Sequence, residues 1–336
     1  MKIAYLLEDT DLAGGIRVCV AHGDVITDRG HEVTLITKGT PLTWRRSRAK
    51  WRHVEQWEEI DANAFDFIVG TFWRTIPHAY ALAPDRAIHF CQGYEGSFTA
   101  YQQFKPEIDA AYRLPIPKIT VSPHLVPICR EFFHDVTCIG QIVDDDYFQP
   151  HTVSALPRRV LLVGPMQADF KGIDVGYDAV RRARAQGASF DLIRVSQWAA
   201  ATGEPADLAS EFHVALSTAE IVRLIASCDA YLAPSRHQEG FGLPAAEAMA
   251  SGLPGVLSEI PSFLAWSGEH DYGLFVAEGN GIAMGDALVS LLGDAALRDR
   301  LVRRGREVVE QFRAEKVGER LERYFTARLP RRTSGR

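Results

Sequence analysis

Pro234-Ser235-Arg236-His237-Gln238-Glu239-Gly240-Phe241-Gly242-Leu243-Pro244-Ala245-Ala246-Glu247-Ala248-Met249-Ala250-Ser251-Gly252-Leu253-Pro254 follows the short apolar run Asp229 to Ala233, a strand in length and composition. Pro244 suits the first helical position, where its missing N–H costs nothing, and Gly252 and Pro254 stop the helix predicted over Ala245 to Ser251. Gly240 and Gly242 have no Cβ, so backbone there can come close to a ligand. The unpaired N–H groups and the positive dipole end of that helix suit a diphosphate. Glu247 falls in the expected first turn, within reach of a ribose hydroxyl, and Glu239 stands before the loop, facing a cleft. The same spacing describes an ordinary strand–turn–helix with a glycine-rich turn, and on spacing alone both readings stand.

Working outward, strand-like and helix-like segments alternate along the chain. Lys2 to Leu7, Glu32 to Thr37, Phe65 to Gly70, Ala87 to Phe90 and Lys118 to Val121 read as strands, with a helix from Ile16 to Arg29 ended by Gly30. The rhythm restarts with a strand at Arg159 to Gly164, a helix at Ile173 to Gly187 and a strand at Phe190 to Val195. A helix over Thr218 to Ser227 and a strand over Gly255 to Ser258 follow. Two such series predict an α/β chain of two doubly wound, Rossmann-like domains facing across a cleft. The expected division is 1–150 and 151–312, joined near Tyr147 to Pro157, where Pro150 and Pro157 flank a polar stretch, with a charged helix over 313–329 and a disordered tail over 330–336. Ligands of open parallel sheets sit beyond the carboxyl ends of the strands, where the informative loops of this chain fall.

Composition narrows the class. The 336 residues are 46% hydrophobic and 24% charged, enough to bury two cores, and the net charge of -6 disfavours a nucleic-acid partner. No apolar run has the length of a membrane span, and the stretch from Met1 to Leu7 meets Glu8 and Asp9 too soon for a signal peptide. Cys19, Cys91, Cys129, Cys138 and Cys228 are scattered without metal-ligand spacing, which points to buried free thiols in a reducing compartment and so to the cytoplasm.

Three further segments carry polar chemistry. Gly164-Pro165-Met166-Gln167-Ala168-Asp169-Phe170-Lys171-Gly172 links a strand to a helix and places Lys171 where it can pair with a diphosphate, or where it is an ordinary solvated loop lysine. Gly14-Gly15, between the first strand and the first helix, suits close approach of a donor or an acceptor, and a plain turn explains it equally. Gln92-Gly93-Tyr94-Glu95 follows a strand, either as groups that position a sugar or as a polar loop.

The block Glu239-Gly240-Phe241-Gly242-Leu243-Pro244 followed by Glu247-Ala248-Met249-Ala250 resembles the Glu-x7-Glu signature of the retaining glycosyltransferases of family GT4, the glycosyl transferases group 1, which have the GT-B fold. Gly14-Gly15, Arg29-Gly30-His31-Glu32-Val33 and Val143-Asp144 with Phe148 and Pro150 resemble the family as well, so the similarity spans nearly the whole chain. Gln92-Gly93-Tyr94-Glu95 and Thr71-x-Trp73 look most like its bacterial rhamnosyltransferase-type members.

The resemblance implies transfer of a sugar from a UDP-, GDP- or dTDP-linked donor to a carbohydrate or lipid-linked acceptor, without a metal or other cofactor. It implies Glu239 against the donor sugar and Glu247 on the ribose. Lys171 would lie on the diphosphate, and Gly15, Arg236, Gly240, Phe241, Gly242 and Leu243 would complete the donor site. Gly14, Gln92, Tyr94 and Glu95 would position acceptor or sugar, with Glu239 and Lys171 as the catalytic pair. The chain departs from the pattern twice. Pro165 and Met166 stand where relatives carry a diphosphate-binding Arg, leaving Arg236 or Arg194 to replace it, and Gln92 replaces a His. These departures keep open a catalytically impaired nucleotide-sugar-binding subunit, and the shared architecture keeps open a nucleotide-sugar epimerase.

Asp144-Asp145-Asp146 mimics a metal-binding Asp-x-Asp but reads as part of the crossing between domains. Gly279-x-Gly281-x3-Gly285 lacks dinucleotide-site spacing, and no His-x3-His pair supports zinc. Trp44-Arg45-Arg46-Ser47-Arg48-Ala49-Lys50-Trp51-Arg52 reads either as a basic helix with both Trp on one face, suited to peripheral contact with anionic lipid at the inner membrane face, or as a solvated surface helix.

Overall fold

The computed structural model describes residues 1–10, 14–40, 42–149 and 158–329. Two all-parallel sheets organise the chain. The first holds β1 (Lys2–Leu7), β2 (Glu32–Thr37), β3 (Lys50–His53), β4 (Phe67–Gly70), β5 (Ala87–Cys91), β6 (Lys118–Thr120) and β7 (Val136–Cys138), in the order β3-β2-β1-β4-β5-β6-β7. The second holds β8 (Arg158–Val163), β9 (Phe190–Ser196), β10 (Glu211–Val214), β11 (Ala230–Ala233), β12 (Gly255–Glu259) and β13 (Leu274–Ala277), in the order β10-β9-β8-β11-β12-β13. Strand order reverses direction between β1 and β4 and between β8 and β11, which makes those the two switch points. Both sheets match the expected doubly wound class.

Helices α1 (Gly14–Asp28), α2 (Thr75–Leu82), α3 (Lys105–Tyr112) and α4 (Leu125–Arg130) belong to the first sheet. Helices α5 (Ile173–Ala185), α6 (Thr218–Ala226), α7 (Leu243–Ala250), α8 (Pro261–Leu264), α9 (Gly281–Gly293) and α10 (Ala295–Val309) belong to the second. The last helix, α11 (Ala314–Arg328), goes back to the first sheet. There Phe325 packs on Phe67, with ring centroids 5.2 Å apart, and Glu322 takes both Arg29 and His31, at 2.7 and 2.9 Å. One buried core runs from the first sheet through Tyr147 and Phe312 to Phe241 and Trp266, and a separate core of Leu162, Tyr177 and Leu288 fills the space under α5 and α9. No helix among the described residues is long and apolar enough to cross a membrane.

The four strands that the sequence did not announce are β3, β7, β10 and β13, the edges of the two sheets. An edge strand has one neighbour instead of two and is less buried, so it need not read as an apolar run. Lys-Trp-Arg-His and Glu-Phe-His-Val are the extreme cases.

The segment from Trp44 to Arg52 is not a helix: an irregular stretch leads into β3. Trp44 is half-buried with its indole N–H on the Thr10 carbonyl at 2.9 Å. Arg45 pairs with Asp24 and Asp144 at 3.2 and 3.0 Å, Arg48 with Asp28 at 2.6 Å and Lys50 with Glu32 at 3.1 Å. Most of the charge that suggested a lipid surface is therefore matched within the fold. All five cysteines are free thiols, and only Cys138 is not fully buried. The expected disordered tail and the proline-flanked joint lie outside the described residues.

Candidate active site

The loops beyond β8 and β11 meet the loops beyond β1, β5 and β6 across the space between the sheets. The closest approach is Gly240 on Gln92. A Cβ at Gly240 would sit 1.9 Å from the Gln92 carbonyl oxygen, so only glycine allows this contact between the two domains. Gly242 is the second glycine the loop requires. Its φ of 85° is left-handed, and a Cβ there would lie 2.1 Å from the Phe263 ring. That turn lets α7 begin at Leu243, two residues earlier than the sequence reading placed it. Pro244 is then the second helical residue, and Glu247 lies in the second turn rather than the first, fully buried against the crossing between domains.

Lys171 ends the short turn after β8 and sends its ammonium to Glu239, at 2.7 Å from Oε2. The Ser235 hydroxyl donates to the same oxygen at 3.1 Å. Lys171 also lies over the Phe170 ring, at 5.0 Å from its centroid, and Phe170 in turn meets Phe98 of the first domain at 5.0 Å. A Thr99 to Asp169 hydrogen bond of 2.5 Å ties the same two loops together. The predicted catalytic pair is thus one ion pair at the domain junction, three-quarters or more buried on both sides.

Glu247 accepts from the Arg17 guanidinium at 2.7 Å on Oε1. Arg17 stands in the first turn of α1, and the Tyr147 hydroxyl lies 3.4 Å from the same guanidinium nitrogen. Burial pushes the Glu247 carboxyl up, and the Arg17 charge pulls it back. Burial works against the Arg17 cation too, but the neighbouring Glu247 charge raises it overall. His124, beyond β6, is held by the Ser122 hydroxyl at 2.8 Å and lies within electrostatic range of Glu239. Burial drives it down to about 4, the Glu239 charge opposing, so it is a neutral imidazole at physiological pH.

Gln92 packs its amide on Gly15, where a Cβ would lie 3.4 Å from Oε1, and donates to the Cys19 sulfur at 3.5 Å. Its buried Oε1 has no hydrogen-bond partner among the described residues. Gly14 opens α1 with no atom near its Cβ position among the described residues.

Five expectations change here. Tyr94 turns away to Asp109 and to Lys105, the latter at 2.8 Å. Glu95 is buried beneath the Tyr112 hydroxyl, which donates to it, and burial pushes its carboxyl up to about 7 against that bond. Both side chains are thereby engaged within the first domain instead of presented to a sugar. Phe241 packs its ring on Phe312 and Trp266, at 4.9 and 5.4 Å, so it can offer a ligand only backbone. Arg194 is fully buried on Glu204 at 2.8 Å, with the Leu162 and Val195 carbonyls, and is not free to replace a diphosphate Arg. Arg236 is engaged by Asp174 at 2.7 Å and by the Asp169 carbonyl at 3.0 Å.

Sequence reasoning missed Arg17 and His124. The first left one signal, a cation two residues past Gly14-Gly15, and the second left none beyond its place after a strand.

Residues 157–294 match the family model of glycosyl transferases group 1. Over 99 residues the chain is 36% identical to a phosphatidyl-myo-inositol mannosyltransferase of Mycobacterium leprae (strain TN), covering 30% of this chain and 26% of that protein. The match thus spans about a quarter of the curated relative. The structure superposes on sucrose-phosphate synthase from Thermosynechococcus elongatus with a TM-score of 0.79 at 17% identity, over 97% of this chain and 98% of the other. Anabaena HepE in complex with UDP-glucose gives 0.77 at 14% identity, over 97% and 100%. WaaG, a glycosyltransferase involved in lipopolysaccharide biosynthesis, gives 0.72 at 15% identity, over 96% and 99%. Residues 157–294 thus carry the likeness to the glycosyl transferases group 1, and the two parallel α/β sheets are set as in these structures, in the GT-B fold.

Proposed function

We propose that this protein transfers a sugar from a nucleoside-diphosphate donor to an acceptor hydroxyl with retention at the anomeric carbon. The observation that carries the reading is the Lys171–Glu239 pair at 2.7 Å, set at the domain junction beside the start of α7. A cation and a helix N-terminus together can offset the charge that develops on a departing diphosphate. Glu239 then lies against the donor sugar and Glu247 takes the ribose. The backbone of Gly240 to Leu243, with Gly15 opposite, lines the rest of the donor site. The bond from the acceptor oxygen to the anomeric carbon forms on the face the diphosphate leaves, and the acceptor proton passes to the departing phosphate oxygen, so no side chain serves as base.

In this reading residues 1–150 receive the acceptor, 151–312 hold the donor, and 313–329 return to the first domain. The acceptor side is supported by Gly14 and Gln92 and by a groove of about 410 Å³ at the carboxyl end of the first sheet, between Glu8, Lys38, Trp73 and His78. Hydroxyl-rich carbohydrate fits such a mixture of indole, carboxylate and ammonium groups. UDP, GDP and dTDP sugars are offered with glycan and glycolipid acceptors, and product is read by mass and by anomeric NMR couplings. Retained configuration in a new glycoside supports the reading. Conversion of donor alone marks an epimerase, and binding without any turnover marks an impaired subunit.

A further inference from the structure

We infer that Arg17 is a donor-positioning residue supplied by the opposite domain: its guanidinium holds one oxygen of Glu247 and leaves the other to accept from the ribose hydroxyls of a nucleoside diphosphate. The inference rests on the proposed role of Glu247 as the ribose partner.

Three segments converge on this point. Arg17 comes from the first turn of α1, Tyr147 from the crossing between domains, and Glu247 from α7, 230 positions along the chain from Arg17. The Glu247 side chain is 2% exposed and that of Arg17 18%. A carboxylate so deep is costly to keep charged alone and takes up a proton unless a cation stands beside it. The charged and titratable groups that bear on Glu247 are Arg17 from α1, Asp144 and Tyr147 from the crossing, and Tyr231 from β11. Of these Arg17 alone is cationic, and Asp144, which raises the Glu247 carboxyl, is itself matched by Arg45 at 3.0 Å. Hydroxyls donating to a charged carboxylate make bonds about twice as strong as those to a neutral acceptor. The first domain therefore contributes to donor affinity without having to touch the donor.

The test titrates UDP, GDP and dTDP into the full chain by calorimetry at pH 7.5 and pH 9. The variants are Arg17→Met, Arg17→Gln, Arg17→Lys and Glu247→Ala, each checked for native circular dichroism. Arg17→Gln keeps a hydrogen bond without the charge and carries the test where Arg17→Met does not fold. The expected result for both neutral variants is affinity about tenfold weaker at pH 7.5 and recovering toward wild type as the pH is raised, with Arg17→Lys close to wild type throughout. Wild-type affinity in the folded neutral variants overturns the inference, and so does an equal loss at both pH values, which marks a packing role. Unchanged affinity in Glu247→Ala instead overturns the ribose reading itself, and the inference with it.

Discussion

Lys171 and Glu239, 68 positions apart, share one hydrogen-bonded ion pair of 2.7 Å. Two loops of one domain thus bring a cation and a carboxylate to the same spot. Among the described residues, removing the cation leaves Glu239 with the Ser235 hydroxyl as its remaining hydrogen-bond donor.

Lys171→Ala lowers kcat by about a hundredfold or more, because leaving-group charge is largest in the transition state, while donor KM changes less. Steady-state kinetics with varied donor check this. An unchanged kcat with a raised KM assigns Lys171 to binding alone.

Gly240→Ala introduces a methyl into the Gln92 carbonyl, which belongs to the other domain. Donor binding to the second domain survives within a few-fold, whereas kcat falls by about two orders of magnitude because the junction cannot close. Small-angle scattering shows a larger radius than wild type. A fully active, equally compact variant contradicts the closed contact.

Stability falls on the acid side through buried histidines. His22 is fully buried, stacked on Phe90 at 4.5 Å, and burial drives it down to about 3; His124 sits at about 4 and His89 is lowered as well. Above about pH 6.5 each is neutral both folded and unfolded, so none shifts the balance. As pH falls below 6.5 the unfolded chain takes up protons that the folded chain refuses, and stability drops until the folded values are passed. His22→Phe keeps the ring stack and recovers about 2–3 kcal/mol of the loss between pH 6.5 and 4.5. Urea denaturation across that range measures it; parallel curves for variant and wild type refute the assignment.

The proposed transfer is expected to need no divalent metal. Asp144 and Asp145, the tempting ligands, are committed to Arg45 and Arg313, each at 3.0 Å, in the crossing between domains. Activity of dialysed protein in excess EDTA equals that with Mg²⁺ or Mn²⁺. Loss in EDTA restored by metal, and absent in Asp144→Asn, reverses this.

Interior strands and the Glu239 to Glu247 loop were legible because burial on both faces and a strand–turn–helix joint leave local marks in sequence. Edge strands such as Lys50–His53 were not, since an edge is defined by the neighbour it lacks. The orientation of Tyr94 and Glu95 was equally hidden: both follow a strand, as site residues do, but Asp109, Lys105 and Tyr112 of a later helix capture them. Arg17 escaped notice because its partner belongs to the other domain, and no periodicity records a contact of that range.

The chain passes between its two sheets twice, and the passages are fastened to each other. The Val143 N–H donates to the Phe312 carbonyl at 2.9 Å, Val143 and Arg313 form a parallel bridge, and Arg313 reaches Asp145 while lying 3.8 Å over the Phe148 ring. A single tether lets two bodies swivel in any direction. Two tethers zipped side by side act as a door hinge, resisting twist and leaving rotation about one axis. Any parting of Gly240 from Gln92 and of Arg17 from Glu247 would therefore follow one arc, and a change that unzips the hinge would misalign both contacts without touching either.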